Sequence, residues 1–284
     1  MTTRARVSRS TRTSGRIVLV CKLKGGAGAT TSVREIAAAA VADGLRVGVI
    51  DLDGQGGLTR WWNRRTKAAG DVTVGPELLQ VPAEQIAARA SALRAACDLV
   101  LIDSPPSVHA TISEVASVAD LALIPSRPNV DDLDAVGPIF RLLHGVCDIG
   151  FILTQVPGRR SLDGAEALER LATRGPVLGR TTFRASYSRP PALGSTGFET
   201  DDAAREEIAG MYALIRERLG FHRNPDGSSG DKVVTSATHK VVPRGDPDAS
   251  VAVGRTRPGS HHSGAVKRSS RQNRITRSGV HPMT

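Results

Sequence analysis

The chain has 284 residues and a formal net charge of +10, with 40% hydrophobic residues but only 3% aromatic ones. That is enough apolar material for one large or two small domains, with a core of Leu, Val, Ile and Ala. No apolar run approaches the ~18 residues that cross a bilayer, and the Arg/Ser/Thr-rich N-terminus lacks the apolar stretch of a secretory signal, so the expected location is the cytoplasm.

The charge is uneven. Residues 1–16 carry five arginines and no acid, and residues 222–284 carry eleven Lys/Arg against four Asp, while residues 17–221 hold 22 basic and 24 acidic side chains. The expected organisation is a basic flexible arm (1–15), a near-neutral folded body (16–221) and a disordered basic tail (222–284). The tail is rich in Ser, Gly, Pro, Arg and His and has too little apolar surface to fold alone. Such a tail gains affinity for polyanions by counterion release, and a merely solvated tail has the same composition. Cys21, Cys97 and Cys147 adjoin apolar runs without C-x-x-C spacing, the pattern of buried reduced thiols.

Arg16 to Cys21 reads as a buried parallel strand. It runs into Lys22-Leu23-Lys24-Gly25-Gly26-Ala27-Gly28-Ala29-Thr30-Thr31-Ser32, followed by an alanine-rich helix to Asp43 that Gly44 terminates. Strand, glycine loop, helix is a phosphate cradle. The glycines allow close approach of backbone N–H groups to an anion, and the helix start adds its positive dipole end. A hydroxyl at Thr30 or Thr31 can reach a magnesium ion bridging the phosphates. Phosphate loops place lysine directly before the hydroxyl residues, whereas this chain has Ala29 there.

Arg46 to Asp53 reads as a second strand ending in two carboxylates, of which the one nearer the tip can reach a ligand; such sheets bind ligands at the carboxyl ends of their strands. Trp61 and Trp62 suit a buried anchor better than a stacking surface. Pro82 to Ala96 is a helix with Ile86, Ala87, Ala90, Leu93 and Ala96 at helical spacing. Asp98 to Asp103 brings four apolar residues to a strand-end carboxylate, which can steer magnesium or, taken alone, simply cap the next turn.

Ala119 to Pro128 is a further buried strand, with Asp131 and Asp132 as cap and first-turn charge of a helix over 133–145. Residues 150–157 form a strand carrying Thr154 and Gln155. An amphipathic helix follows over 161–172, then a short edge strand over 177–180. The last helix, 201–219, is expected to turn Ile208, Met211, Tyr212, Leu214, Ile215 and Leu219 inward. Alternating strands and helices predict an α/β fold, a doubly wound, mostly parallel sheet with helices on both faces.

Four segments in order carry a resemblance to the ParA/MinD-type ATPases with a deviant Walker A loop. Lys24 to Thr31 resembles K-G-G-x-G-(K)-T-T, and Asp51 to Trp61 resembles D-x-D-P-Q-x-x-L-T-x-W with Gly54 in place of proline. Ile102 to Pro106 resembles I-I-D-x-P-P, and Arg184, Tyr187, Gly194 and Glu199 resemble R-x-x-[FY]…G-x-x-x-x-E. The resemblance covers residues 17 to about 220 and implies a P-loop NTPase-like body that binds ATP and magnesium. By it, Lys24 reaches the nucleotide of a partner subunit across a homodimer, Asp53 positions the attacking water, and Thr30, Asp53 and Asp103 serve the metal. The loop residues Gly25, Gly26, Ala27, Gly28, Ala29, Thr30 and Thr31 would hold the phosphates. Thr154 stands where relatives use asparagine to read adenine, with Gln155 beside it.

The implied function is ATP-dependent positioning or segregation of plasmid or chromosomal DNA on the nucleoid. It involves nonspecific DNA binding, through Arg180, Arg184, Arg189 and the tails, and a ParB-like partner. Ala29 leaves open a non-hydrolysing regulator of a true partition ATPase. A MinD-like membrane positioner would need an amphipathic C-terminal helix, and a nitrogenase-type iron protein a different cysteine pattern.

Overall fold

The computed structural model describes residues 14–21, 25–70, 75–106, 109–158 and 160–221. The tail expected at 222–284, most of the arm at 1–15, and Lys24 lie outside the described residues. Seven parallel strands form one sheet in the order β3-β2-β4-β1-β5-β6-β7. The strands are β1 (Arg16–Val20), β2 (Val47–Asp51), β3 (Glu77–Leu78), β4 (Leu99–Asp103), β5 (Leu121–Ser126), β6 (Asp148–Val156) and β7 (Val177–Thr182). Between them run α1 (Ala29–Ala42), α2 (Gly57–Ala69), α3 (Ile86–Ala96), α4 (His109–Ala116), α5 (Val130–Leu143) and α6 (Leu162–Ala172); α7 (Gly197–Thr200) and α8 (Asp202–Arg218) close the chain.

The period-two geometry of a strand explains the two-sided core. Ile17 and Leu19 of β1, with Val100 and Ile102 of β4, face one layer, where they meet Leu93 of α3, Val136 and Ile139 of α5 and Leu171 of α6. Val18, Val20, Leu99 and Leu101 face the other, against Ile36 and Ala40 of α1, Trp61 of α2 and Ile208 and Ile215 of α8. Four consecutive alanines of α1, Ala37 to Ala40, are buried, which lets this helix lie close on the sheet. Trp61, Phe151 and Tyr212 are the buried aromatic residues of an otherwise aliphatic core, and the first two rank among the largest fully buried side chains.

Several expectations shift by a turn. Helix α1 begins at Ala29, inside the predicted loop, and β2 stops at Asp51. The cap of α5 is Asn129, whose side chain accepts the Asp132 N–H; Asp131 and Asp132 sit in the first turn instead. Leu214 of α8 is 44% exposed rather than inward, and in α3 only Ile86 and Leu93 are buried. Cys21 and Cys97 are buried free thiols as expected, whereas Cys147 is half-buried.

Arg184, expected on a DNA surface, anchors the end of β7 to α8. Its guanidinium donates to Glu207 Oε1 of α8 at 2.9 Å, and the same carboxylate accepts from Thr182 and from the Tyr187 hydroxyl at 2.8 Å. Arg184 Nε and Nη2 both lie on this carboxylate, and the side chain is 27% exposed. Arg180 and Arg189 are exposed.

Glu35 of α1 is a buried carboxylate with no exposed surface, accepting from the N–H groups of Gly197 and Phe198 at 2.9 and 2.7 Å. Burial pushes its pKa up to about 7, against the opposing pull of the two N–H donors and of Arg34; Glu199 adds to the rise. From its ordinary value of 4.5 up to about 7, the native chain retains this proton while the unfolded chain has lost it. The stability that Glu35 contributes therefore falls as pH rises through that window and is level above it. Glu35→Gln is expected to flatten the dependence of unfolding free energy on pH there, as read by urea denaturation. An unaltered slope contradicts the assignment.

Candidate functional site

Parallel pairing brings three strand ends to one level: Val20 of β1 and Asp51 of β2 are both in register with Asp103 of β4. Past that level the chain leaves β1 through residues 21–28 and enters α1. Gly26 and Gly28 take φ values of +88° and +86°, a left-handed backbone that side chains with a Cβ rarely adopt. Gly25 and Gly26 are exposed, while Ala27 and Ala29 are buried.

The loop is tethered from behind by the end of β6. The Thr154 hydroxyl donates to the Ala27 carbonyl at 2.8 Å, and Gln155 Nε2 donates to the Gly26 carbonyl at 2.6 Å. Gln155 reaches it from a φ of +55°, a costly conformation for a residue with a side chain. Gly28 is packed so closely that a Cβ there would lie 3.2 Å from Thr154 Cγ2. In a trans peptide the C=O and N–H point in opposite directions. With the Gly26 and Ala27 carbonyls drawn toward β6, the N–H groups of Ala27 and Gly28 point the other way. Helix α1 then starts at Gly28 with no side-chain cap and no acidic residue in its first turn, so its own side chains do not neutralise the dipole end.

At the front edge, Thr30 Oγ1 donates to Asp103 Oδ2 at 2.6 Å, and Asp103 is fully buried at the tip of β4. Thr31 Oγ1 accepts from Arg34 Nη2 at 3.1 Å. A hydroxyl on a buried carboxylate supplies the hard oxygen donors that suit a magnesium ion, and the outward N–H groups above it suit an anion. Among the described residues no cluster of three or more His, Cys, Asp or Glu side chains stands ready to hold a metal.

The two carboxylates at the end of β2 part company. Asp51 is committed to holding α2, accepting from Thr59 N at 2.8 Å and Thr59 Oγ1 at 2.9 Å. Asp53 lies past the strand in a turn, where its carboxylate accepts from Gln55 N at 3.0 Å. The end of that turn rests against the loop: a Cβ on Gly57 would lie 3.5 Å from Thr30 Cγ2. The rest of this motif is a tether. Trp61 is buried and donates to the Ser195 carbonyl at 3.1 Å, Trp62 donates to the Pro76 carbonyl at 2.9 Å, and Arg65 forks onto Glu199. A cavity of about 440 Å³ opens to the side, lined by Asp51, Leu52, Thr59 and residues 78–83.

Thr154 faces the loop: its hydroxyl proton is used on Ala27, and the residue is 3% exposed.

Residues 18–196 match the family model of the CobQ/CobB/MinD/ParA nucleotide binding domain. The chain is 32% identical over 214 residues to the maintenance of carboxysome distribution protein A of Gloeobacter kilaueensis, covering 72% of this chain and 94% of that protein. Among solved structures it is similar to a candidate plasmid partition protein from Borrelia burgdorferi bound to AMPPNP. That match has a TM-score of 0.55 at 19% identity and covers 72% of this chain and 99% of that one. The septum site-determining protein MinD of Pyrococcus horikoshii, complexed with Mg-ADP, gives 0.57 at 17%, covering 73% and 98%. At such identities the likeness bears on the fold, and it agrees with the parallel sheet described above. The family model spans more than half of the chain, and this protein belongs to the CobQ/CobB/MinD/ParA nucleotide-binding family.

Proposed function

We propose that this chain is a ParA-like positioning ATPase that binds ATP with magnesium and, so loaded, pairs as a sandwich dimer. The observation that carries this reading is the Thr30–Asp103 hydrogen bond at 2.6 Å beneath a loop whose carbonyls are tied back by Thr154 and Gln155. In this reading the N–H groups of 25–30 hold the phosphates, Thr30 and Asp103 orient the metal, and Asp53 positions water. Magnesium bound there supplies neutralisation of phosphate charge. Lys24 serves the partner subunit's nucleotide, and a ParB-like protein acts on the loaded dimer. Ala29 favours slow hydrolysis, and a second reading, a non-hydrolysing regulator, follows from the same residue.

The relatives support positioning as the purpose, since one maintains carboxysome distribution and others are named for plasmid partition and septum placement. Cargo attachment to the nucleoid would use nonspecific DNA binding. The excess of ten positive charges and the exposed Arg180 and Arg189 support it.

Isothermal titration with AMPPNP and magnesium tests the site. Thr30→Ala or Asp103→Asn is expected to weaken binding about tenfold or more, in line with losing a charge-assisted contact; equal affinity in all three proteins sinks the reading. Thr154→Val removes the tether to Ala27 without changing side-chain shape. It should cost the loop about 3–10-fold in nucleotide affinity, the worth of one net hydrogen bond, and an unchanged affinity shows that the tether is idle. For DNA, the double variant Arg180→Glu, Arg189→Glu should bind a random-sequence duplex more weakly and with a shallower salt dependence. Identical salt curves would remove these two residues from the interface.

A further inference from the structure

Phosphate loops balance several negative charges with a lysine placed before the hydroxyl pair, and this chain has a buried alanine, Ala29, at that position. A guanidinium nevertheless stands beside the loop. Arg127 directly follows the last residue of β5, and its Nε and Nη2 donate to the two oxygens of Asp132 at 2.5 and 3.1 Å. The Asp132 side chain is 2% exposed, and its backbone N–H is capped by Asn129 at 2.9 Å. One edge of the guanidinium is thereby fixed by a nearly buried carboxylate at the start of α5.

The opposite edge faces the glycine loop. Nη1 makes no hydrogen bond among the described residues, and it lies 3.7 Å from where a Cβ on Gly26 would stand. Arg127 thus borders the space that Gly26, by lacking a side chain, leaves open. Its side chain is 33% exposed, so the free edge remains accessible. An ion pair that served only to close the turn 127–132 would be satisfied by the two bonds to Asp132 and would not need a guanidinium directed at the phosphate loop. Arg34 lies on the helix flank, bonded to Thr31 Oγ1.

We propose that Arg127 contacts the polyphosphate of the bound nucleotide and supplies, within the same subunit, the positive charge that Ala29 withholds, with Asp132 as its positioning residue. A planar fork held on one edge suits this, because the other edge still presents N–H groups to an anion without further ordering of the side chain. The inference rests on reading the glycine loop as a nucleotide site.

The test is direct binding of AMPPNP and of ADP, each with magnesium, to the full chain and to Arg127→Gln, Arg127→Lys and the double variant Ala29→Lys, Arg127→Gln, with thermal melting on each. Loss of a charge-assisted phosphate contact is expected to weaken binding about tenfold or more in Arg127→Gln. Arg127→Lys should recover part of the loss, and Ala29→Lys should restore affinity to the Arg127→Gln chain by returning the missing charge. Two results overturn the proposal: Arg127→Gln binding both nucleotides as the parent does, or a loss that tracks a lowered melting temperature and is not repaired by Ala29→Lys. A parent chain that binds neither nucleotide would remove the nucleotide reading itself and this inference with it.

Discussion

A short loop can present its N–H groups to an anion only if something else takes up its carbonyls. Here the end of β6 does so. Thr154 and Gln155 hold the carbonyls of Ala27 and Gly26 at 2.8 and 2.6 Å, and the planar trans peptide converts those two bonds into outward N–H groups at the next residues. The tether exists because β6 runs parallel to β5, which in turn lies beside β1. Sheet order, rather than any feature of the loop, puts Thr154 behind it.

The front of the site depends on the sheet in the same way. Thr30 meets Asp103 because β1 and β4 are neighbours and in register at their ends. The second half of the molecule then clamps α1 and α2 in place. Glu35 of α1 caps the start of α7, and Trp61 and Arg65 of α2 reach the segment around Gly194 to Glu199. A Cβ at Gly194, whose φ is +81°, would collide with the Arg65 backbone at 2.4 Å. Residues far from the loop in sequence thus fix the helix that leaves it.

The parallel sheet, the glycine loop and the Asp103 strand end were legible because each is local: an apolar run, a turn signal, a terminal charge. What was not legible depended on distant partners. Asp51 and Asp53 were both expected on a strand, and only the early end of β2 and the approach of Thr59 give Asp51 its own task of holding α2. Arg184 had the look of a surface charge until Glu207, 23 residues on, was seen beside it. Strand β3, two residues long, and helix α4 carried too short a pattern to stand out. The bond from Thr154 to the Ala27 carbonyl was not legible either, since no sequence signal says which way a strand-end hydroxyl turns.

The proposed function requires that the N–H groups between Gly26 and Thr31 form the seat of a magnesium-bound triphosphate. Amide hydrogen exchange of the full chain, with and without AMPPNP and magnesium, reads those groups directly. Strong protection of 26–31 that appears only when nucleotide and metal are both present is the predicted result. Unchanged exchange across 26–31 at saturating nucleotide, or protection confined to another part of the sheet, would contradict it.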